Sequence, residues 1–347
     1  MSMSSPGPDP VGPHIHIEVD SWRAGIRRDG AAVGTALSGR TVHEALALVP
    51  ALLPVCGRAQ LLAARHAVMA ARGQEDPIPG EQNELLEEQA FAAAWRLCVD
   101  WPDLLGEPRR MAQLAAIKRA RGAVRGALLA GELPGLEAVH SLGELLEWSR
   151  HQACPATRII ARAMDQAAQG VRPLAGVQCL AGPGLVETAA EVLAGNSFEY
   201  LDPDPRALDV GALAMARDSL VRELQQELGA TVLARLLAQL LDARVICRAL
   251  AQPLPGDDRH GWSQGPGVGL GRALTCRGPV FHRVSLDPLG KRVRDWRVLA
   301  PTDWHFALRG PVASGLGLLH SPREMKLLIV SFDPCAPWTL HNAKGVD

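Results

Sequence analysis

Apolar and polar residues alternate in the first strongly patterned segment of the chain, His14 to Asp20. A period of two is typical of a strand with one buried face. Residues 22–33 follow, with Asp29-Gly30 as a turn, and are predicted to form the hairpin partner of this strand. Over 41–72 the apolar positions recur at helical spacing, and Pro54 divides that stretch into two predicted helices.

Long helical patterns dominate the middle of the chain, after a polar Pro/Gly linker at 74–80. This part is rich in Ala, Leu and Arg, which favour helix. Heptad spacing is not sustained, so helices packed in a bundle are predicted rather than a free coiled coil. The predicted helices cover 83–104, 109–130, 136–152, 157–168 and 207–250, the last with a break near Gly229.

The strand pattern returns after a predicted loop, rich in Gly and Pro, at 253–271. Residues 279–287 and 292–299 alternate with period two and are predicted to pair through a turn at 288–290. A short helix at 322–328 then leads into the C-terminal tail. Together these patterns predict an α+β, predominantly helical fold, a helical bundle with small β-hairpins near its N- and C-terminal parts.

A single domain is predicted over residues 14–347, and a chain of 347 residues is long enough to bury a substantial core. Its helical middle is about 83–250, and a part with several motifs follows at about 262–347. Residues 1–13 are rich in Ser, Gly and Pro and are predicted to be a flexible N-terminal arm. They lack the basic and apolar regions of a signal peptide.

The net charge and the number of cysteines exclude some classes of partner and indicate a cellular location. The formal net charge is −1 and the charged residues of both signs are interspersed, which argues against nucleic acid or a membrane surface as partners. The 7 cysteines are scattered and odd in number, so reduced thiols and a cytoplasmic location are predicted. Glu88 and similar helix charges are interpreted as solvated, and His282 and His305 as residues that pack or orient backbone.

The tail carries the most distinctive motif, Asp333-Pro334-Cys335-Ala336-Pro337-Trp338-Thr339-Leu340-His341. It resembles the D-P-C-x-x-C-x-x-H signature of the large subunit of nickel-iron hydrogenases. Trp338 stands where that family has its second cysteine. In the enzymes this segment supplies one terminal and one bridging thiolate to the Ni-Fe centre. The chain therefore keeps half of the metal-binding motif.

The N-terminal part resembles the same family in two segments. His14 to Asp20 is similar to the strand that follows the family's R-I-E-G-H motif, and the position of its proton-transfer glutamate falls on Gly12. The segment after Leu53 is similar to C-G-x-C-x-x-x-H. Cys56 takes the place of the first cysteine, Ala59 that of the second and Ala63 that of the histidine.

The C-terminal part adds two further matches. Gly267 to Gly271 with Arg277 to His282 resembles the family's glycine loop and A-P-R-G-x-x-x-H run, although Cys276 replaces the proline. Residues 300–306 are similar to the family's P-T-x-W-N-F strand. Matches in the family's order from residue 14 to residue 341 argue against chance, whereas about 107–260 carries no matching motif.

The resemblance implies roles for individual residues. Cys56 and Cys335 occupy the positions of terminal thiolates, while Ala59 and Trp338 occupy those of the bridging ones. Neither Ala nor Trp coordinates metal, and Trp338 is predicted to fill volume near the site. Because two thiolates do not complete a nickel site, a complete Ni-Fe centre is not expected.

Two converging thiolates suit a low-coordinate iron that brings its own cyanide and carbonyl ligands. The guanidinium of Arg277 is then a hydrogen-bond donor to cyanide nitrogen. Cys276 is a further candidate ligand, or alternatively a small strand residue. His341 is a candidate ligand as well, or alternatively a solvated residue of the tail.

The chain resembles the hydrogenase expression and formation proteins of the HupK/HoxV type, which implies an accessory role in nickel-iron hydrogenase maturation. One hypothesis is a scaffold that transiently holds the Fe(CN)2CO unit and passes it to the large-subunit precursor. Its partners would be that precursor and maturation chaperones of the HypC/HypD type. The alternative is a metal-free chaperone of the immature large subunit, in which the two cysteines are relics. A catalytic hydrogenase is disfavoured by Gly12, Ala59 and Trp338.

Overall fold

Helices form most of the described part of the chain. The computed structural model describes residues 14–20, 23–29, 33–74, 81–150, 154–168, 177–195, 208–252 and 260–342. The α-helices are α1 (Val33–Leu37), α2 (Val42–Leu52), α3 (Gly57–Ala71), α4 (Glu81–Trp95), α5 (Trp101–Leu105), α6 (Met111–Arg119), α7 (Gly122–Ala130), α8 (Leu142–Arg150), α9 (Pro155–Ala168), α10 (Gly182–Ala194), α11 (Ala212–Met215), α12 (Leu220–Leu228), α13 (Val232–Ala251), α14 (Pro301–His305), α15 (Pro311–Leu316) and α16 (Pro322–Ser331). A 3-10 turn at Pro54–Cys56 precedes α3, another lies at Leu136–Ala138, and a π-helix at Arg96–Asp100 joins α4 to α5.

The strands of the described residues form three small sheets. They are β1 (His14–Asp20), β2 (Arg23–Asp29), β3 (Gln178–Cys179), β4 (Leu208–Asp209), β5 (Gly261–Ser263), β6 (Val268–Thr275), β7 (Gly278–Leu286), β8 (Val293–Leu299) and β9 (Trp338–Asn342). The strand orders are β2-β1-β9, β3-β4 and β5-β6-β7-β8. The four-stranded sheet is antiparallel throughout.

Strand β1 joins the two ends of the described chain. Its apolar face, Ile15, Ile17 and Val19, is buried in the main core. One edge of β1 pairs antiparallel with β2 and the other pairs parallel with β9, with Ile15 opposite Trp338. The Ile15 N–H donates to the Pro337 carbonyl at 2.9 Å. The tail that follows Cys335 is therefore held against the N-terminal strand.

Helix α3 lies very close to strand β6. The glycines of β6 recur with period two, so they share one face of the strand. A Cβ added to Gly269 would lie 2.1 Å from the Ala67 carbonyl oxygen, and one added to Gly271 would lie 2.1 Å from that of Ala63. The glycines thus allow two backbones to meet, and this contact positions the helix that begins beside Cys56.

Helix α13 is the central element of the main core. It is buried on nearly every side, from Val232 to Ala249. The Thr231 hydroxyl caps its N-terminus by accepting from the Ala234 N–H at 3.2 Å. Helices α4, α7, α9, α11, α12 and α16 all contact it. Because α13 is surrounded, its polar side chains Arg235 and Arg244 are buried as well and pair with Asp209 and Asp218.

Much of the predicted architecture is confirmed. The fold is α+β and predominantly helical, with the predicted hairpin at β1–β2 and the predicted pair at β7–β8. The predicted break near Gly229 falls between α12 and α13, where Gly229 has φ +61°. A positive φ is readily adopted by glycine, which explains why the helical pattern stops there.

Other predictions are wrong in detail. The predicted loop at 253–271 contains β5 and the first half of β6. Residues 300–306, matched to a strand of the enzymes, form α14, because Pro301 starts a helix and the Asp303 carboxylate accepts the Ala300 N–H at 2.7 Å. Strand β9 and helix α10 were not predicted. The arm at 1–13, which includes Gly12, lies outside the described residues, and the single-domain boundary stays a prediction.

By length and apolar character, no single helix of the described residues qualifies as a membrane span. The pair Val42–Leu52 and Pro54–Ala71 passes that test together, but the two helices are bent by 94° relative to each other.

Candidate metal site

Cys56 lies at the junction between the 3-10 turn and α3, as the residue that precedes the first turn of the helix. Its side chain is buried in a small apolar cluster that consists of Ala59, Ala63, Ala273, Val280 and Ala300. The Gln60 amide donates to its Sγ at 3.3 Å. The thiol is therefore enclosed by methyl groups on one side and oriented by a single polar contact.

A chain of hydrogen bonds extends behind Cys56 into the four-stranded sheet. The Trp296 indole donates to Nδ1 of His282 at 2.9 Å, so the ring proton of a neutral His282 is on Nε2. Nε2 lies 2.6 Å from Oε1 of Gln60 and donates to it. Burial lowers the pKa of His282 to about 3, which keeps the ring neutral. His282 is buried and packed, but its hydrogen bonds orient the side chain of Gln60 and not, as the alternative interpretation had it, backbone.

Cys335 lies in the bend between α16 and β9 and is partly exposed. The Thr302 hydroxyl of α14 donates to its Sγ at 3.0 Å, and the Cys335 N–H donates to the same hydroxyl at 3.2 Å. One threonine therefore fixes both the backbone and the thiol of Cys335.

Arg277 is anchored by the residue two positions before Cys335. Its Nε donates to the Asp333 carbonyl at 2.9 Å and lies 3.3 Å from the Asp333 carboxylate. Arg96, from the π-helix, binds the same carboxylate at 2.7 Å, and all three side chains are buried. Asp333 has φ +47°, a conformation that Asp adopts more readily than most residues.

The electrostatics tie the two cysteines to each other and to Arg277. Burial raises the pKa of Cys56, and the Cys335 thiol raises it further, whereas Arg277 lowers it. Burial also raises the pKa of Cys335, against the opposite effects of Thr302 and Arg277. The two half-motifs therefore share one electrostatic environment. Both thiols are protonated at neutral pH, so binding of a metal must release protons.

The charge of the site is set by buried ion pairs. Burial alone would raise the pKa of Asp333, but Arg277 and Arg96 hold it below its usual range, so the carboxylate is ionised. Two guanidinium groups thus face one carboxylate. Nearby, burial and the charge of Asp333 raise the pKa of Asp100 to about 7. Arg277 thus places a buried positive charge beside the two thiols, and this charge favours an anionic ligand there.

Of the two further candidates, Cys276 lies beside the site and His341 lies away from it. Cys276 is buried beside Asp333, with 3.9 Å between its Sγ and the carboxylate, and Arg277, Asp333 and Arg96 are its strongest electrostatic neighbours. His341 is exposed on β9, opposite Glu18 in the strand register. Within the described ranges, no three or more His, Cys, Asp or Glu side chains form a group that could hold a metal ion.

The positions of the replaced cysteines are accounted for by packing. Ala59 is completely buried in the cluster around Cys56. Trp338 begins β9 and is partly buried against the main core. At both positions, where the family has a second cysteine, the side chain is part of the apolar packing.

Sequence reasoning missed several residues of the site. Gln60 and Thr302 lie within matched segments, but no role was assigned to either, and Arg96 lies in no motif and reaches Asp333 only through the fold. Glu88, interpreted as a solvated charge, instead accepts the Arg58 and Ala59 N–H groups at 2.8 and 3.0 Å. A signal existed for Gln60, which follows Cys56 by four residues in a predicted helix, and for Arg96, since an arginine in an apolar helical stretch needs a buried partner.

Comparison with curated proteins shows similarity along most of the chain, although no family model matches it. The hydrogenase expression/formation protein HupV of Azotobacter chroococcum mcd 1 is 30% identical over 329 residues, covering 89% of this chain and 91% of that protein. HupK of Azotobacter vinelandii is 30% identical, with 92% and 96% covered. HoxV of Cupriavidus necator is 27% identical, with 89% and 90% covered.

Solved structures show the same fold at much lower identity. An NAD⁺-reducing [NiFe]-hydrogenase matches with a TM-score of 0.53 and 15% identity, covering 91% of this chain and 93% of that chain. A variant of the [NiFeSe] hydrogenase of Desulfovibrio vulgaris Hildenborough also gives 0.53 and 15%, covering 90% and 92%. The chain therefore has the fold of the hydrogenase large subunit. Its similarity to HupV and HupK shows that it belongs to the family of hydrogenase expression/formation proteins.

Proposed function

We propose that this protein is a scaffold in nickel-iron hydrogenase maturation that transiently holds the Fe(CN)2CO unit between Cys56 and Cys335. The single observation that carries the proposal is the convergence of the half-motifs: buried Arg277 binds the Asp333 carbonyl at 2.9 Å, two residues before Cys335, and lies close enough to Cys56 to lower the pKa of that thiol. They come from opposite ends of the chain, and each belongs to a motif that has lost its second cysteine.

The chemistry of the site suits an anionic cargo. An iron(II) ion with two cyanides, one carbonyl and two thiolates is an anion, and the buried Arg277 guanidinium is close enough to Cys56 and Cys335 to lower the pKa of both thiols. The Asp333 carbonyl engages Nε of Arg277. A guanidinium carries five N–H donors, so others remain for cyanide nitrogen. Soft thiolate ligands suit iron, and a site with only two of them can release what it binds.

A scaffold that transfers the Fe(CN)2CO unit needs a donor and an acceptor as partners. The relatives are named as hydrogenase expression/formation proteins, which supports a non-catalytic, accessory role in the same process. The acceptor would be the large-subunit precursor, and the donor a maturation complex of the HypC/HypD type. Both exchanges would take place in the cytoplasm. Ala59 and Trp338 supply no thiolate, so the chain would not retain a complete Ni-Fe centre.

Infrared spectroscopy tests the proposal. The chain would be purified without oxygen from cells that express the maturation machinery, and the cyanide and carbonyl stretching region recorded. We expect iron-bound bands in the wild type and their loss in Cys56→Ala and Cys335→Ala. Cys179→Ala is a matched control, because Cys179 is an exposed thiol outside the site.

The same measurement separates the scaffold from the metal-free chaperone. If the wild type shows no bands, and the two cysteine variants still support hydrogenase maturation in cells, the scaffold is wrong. The chain would then act by binding the immature large subunit without metal. Bands that persist in both cysteine variants would place the iron elsewhere.

A further inference from the structure

One helix contacts all three segments from which the candidate site is built. Helix α4 and the π-helix that extends it carry Glu88, Gln89 and Arg96. In the sequence this stretch has no matching motif and shows only an ordinary helical pattern. In the fold, each of these three side chains makes a hydrogen bond to a different segment of the site.

Glu88 contacts the segment with Cys56. Its two carboxylate oxygens accept the Arg58 and Ala59 N–H groups at 2.8 and 3.0 Å. These are donors of the first helical turn, which have no partners within the helix. The residue that precedes this turn is Cys56, whose own side chain makes no capping hydrogen bond. Glu88 therefore caps α3 from a neighbouring helix and fixes the backbone next to the thiol.

Gln89 contacts the segment with Arg277. Its amide donates to the Leu274 carbonyl at 3.0 Å, near the end of β6, and its oxygen accepts from Arg217 at 3.0 Å. The side chain is only 3% exposed. Because both ends of the amide are engaged in the interior, the end of β6 is held at a defined position relative to α4.

Arg96 contacts the segment with Cys335 through the buried ion pair with Asp333 at 2.7 Å. It is the first residue of the π-helix, and such wide turns often occur at functional sites. Glu88 and Arg96 are about 12 Å apart along the helix axis, at about 1.5 Å per residue. A single rigid element thus spans the site from one half-motif to the other.

We infer that α4 and its π-helical extension set the relative position of the two candidate thiols, and that Glu88 and Arg96 are the positioning residues. Glu88 places Cys56 through the start of α3, and Arg96 places Cys335 through Asp333. Cargo binding at these thiols rests on the proposed function, but the positioning itself does not require any cargo.

Thiol cross-linking of the reduced, full-length chain tests the inference. A short bifunctional reagent such as dibromobimane would be added at about pH 9 with a long incubation, because both thiols are protonated at neutral pH and only the thiolate reacts, and bridged peptides identified by mass spectrometry. We expect a Cys56–Cys335 bridge in the wild type and its loss in Glu88→Gln and Arg96→Met. The isosteric Glu88→Gln keeps one acceptor and the helix, and Arg96→Lys, which keeps the charge, should restore part of the bridge.

Matched controls come from the same region. Glu84→Gln removes an exposed carboxylate of α4 that binds the Arg58 side chain at 2.7 Å. Arg109→Gln removes an exposed guanidinium that pairs with Asp103. Both controls should keep the bridge. Circular dichroism and thermal unfolding would show whether each variant is folded.

The inference is overturned if folded Glu88→Gln and Arg96→Met give as much bridge as the wild type, or if the wild type gives none. Loss of the bridge in the controls would also overturn it, since the effect would then not be specific. Infrared bands decide the proposed function separately. If the wild type shows no iron-bound infrared bands but gives the expected cross-linking pattern, the scaffold function is wrong and the positioning role of α4 still holds.

Discussion

At the scale of single residues, the thiol of Cys56 ends a hydrogen-bond chain whose direction is set by one indole. The Trp296 N–H can only donate, so Nδ1 of His282 must accept and the other ring nitrogen must donate. Gln60 then presents its oxygen to His282 and its NH₂ group to Cys56. A protonated His282 would have to break the contact with Trp296, because both ring nitrogens would then be donors.

This arrangement predicts a pH dependence of stability. The pKa of His282 is about 3 in the folded chain, below its value of about 6.5 when unfolded. The unfolded chain therefore binds an extra proton below about pH 6.5. The contribution of neutral His282 to the free energy of unfolding is complete above about pH 6.5 and is lost as the pH falls towards 3. The expected slope is about 1.4 kcal/mol per pH unit.

Urea unfolding between pH 6.5 and pH 5 measures this effect. His282→Gln should flatten the pH dependence relative to the wild type, whatever its stability at neutral pH. His43→Gln, which changes an exposed histidine of α2, should leave the slope unchanged. Equal slopes for His282→Gln and the wild type would show that His282 is not held neutral in the fold.

At the scale of secondary-structure elements, the contact between α3 and β6 decides where Cys56 lies. The sequence resembles a glycine loop at 267–271, but Gly269 and Gly271 are strand residues against which a helix packs. Their neighbours on α3 are Ala63 and Ala67, so small residues face each other. Small residues on both sides let the backbones approach more closely than ordinary side chains permit.

A single methyl group tests this contact. In Gly271→Ala the new Cβ would lie 2.1 Å from the Ala63 carbonyl oxygen, so α3 or β6 must move. We expect a loss of about 1–3 kcal/mol in the free energy of unfolding, as for other overpacked interiors. Urea unfolding measures it.

Gly143→Ala is the matched control for this substitution. Gly143 lies within α8, and an added Cβ would meet nothing within 4 Å. This change should be neutral or stabilise by about 0.4–1 kcal/mol. If the two alanine variants have the same stability, α3 and β6 do not pack as closely as described.

At the scale of the whole molecule, buried ion pairs connect α13 to elements distant in sequence. Arg235 of α13 pairs with Asp209 of β4 at 2.8 Å, and His305 of α14 lies 3.4 Å from the same carboxylate. Arg235 also lies 4.2 Å from the centre of the Phe332 ring, which precedes Asp333. The core helix, a small sheet and the metal-site tail thus meet at one buried carboxylate.

Removal of that carboxylate's charge tests its contribution to the assembly of these elements. Asp209→Asn would leave the buried Arg235 without its counter-charge, and we expect a loss of about 3–5 kcal/mol in the free energy of unfolding. Asp103→Asn breaks the exposed pair with Arg109 and should cost no more than about 1 kcal/mol. Equal losses in urea unfolding would contradict the burial of the Arg235–Asp209 pair.

The sequence by itself determined the elements with strong local patterns and the chemistry of the two half-motifs. Strand β1, the β7–β8 pair and the break at Gly229 follow from spacing and from backbone preferences of nearby residues. Cys56, Arg277 and Cys335 were identified because each belongs to a short motif. Strand β9 was not, since it exists only through pairing with β1 across the length of the chain.

Only the tertiary structure decided which groups surround the two thiols. Glu88, Arg96 and Thr302 look like ordinary helix charges and an ordinary polar residue, until the fold places them against the first turn of α3, Asp333 and Cys335. Gln60 is the exception, because it reaches Cys56 from four residues along the same helix. The physical reason is that buried polar groups take whatever partners packing brings within reach, at any separation along the chain. The local sequence motifs identify the two thiols, and long-range packing brings most of the groups that hold them in place.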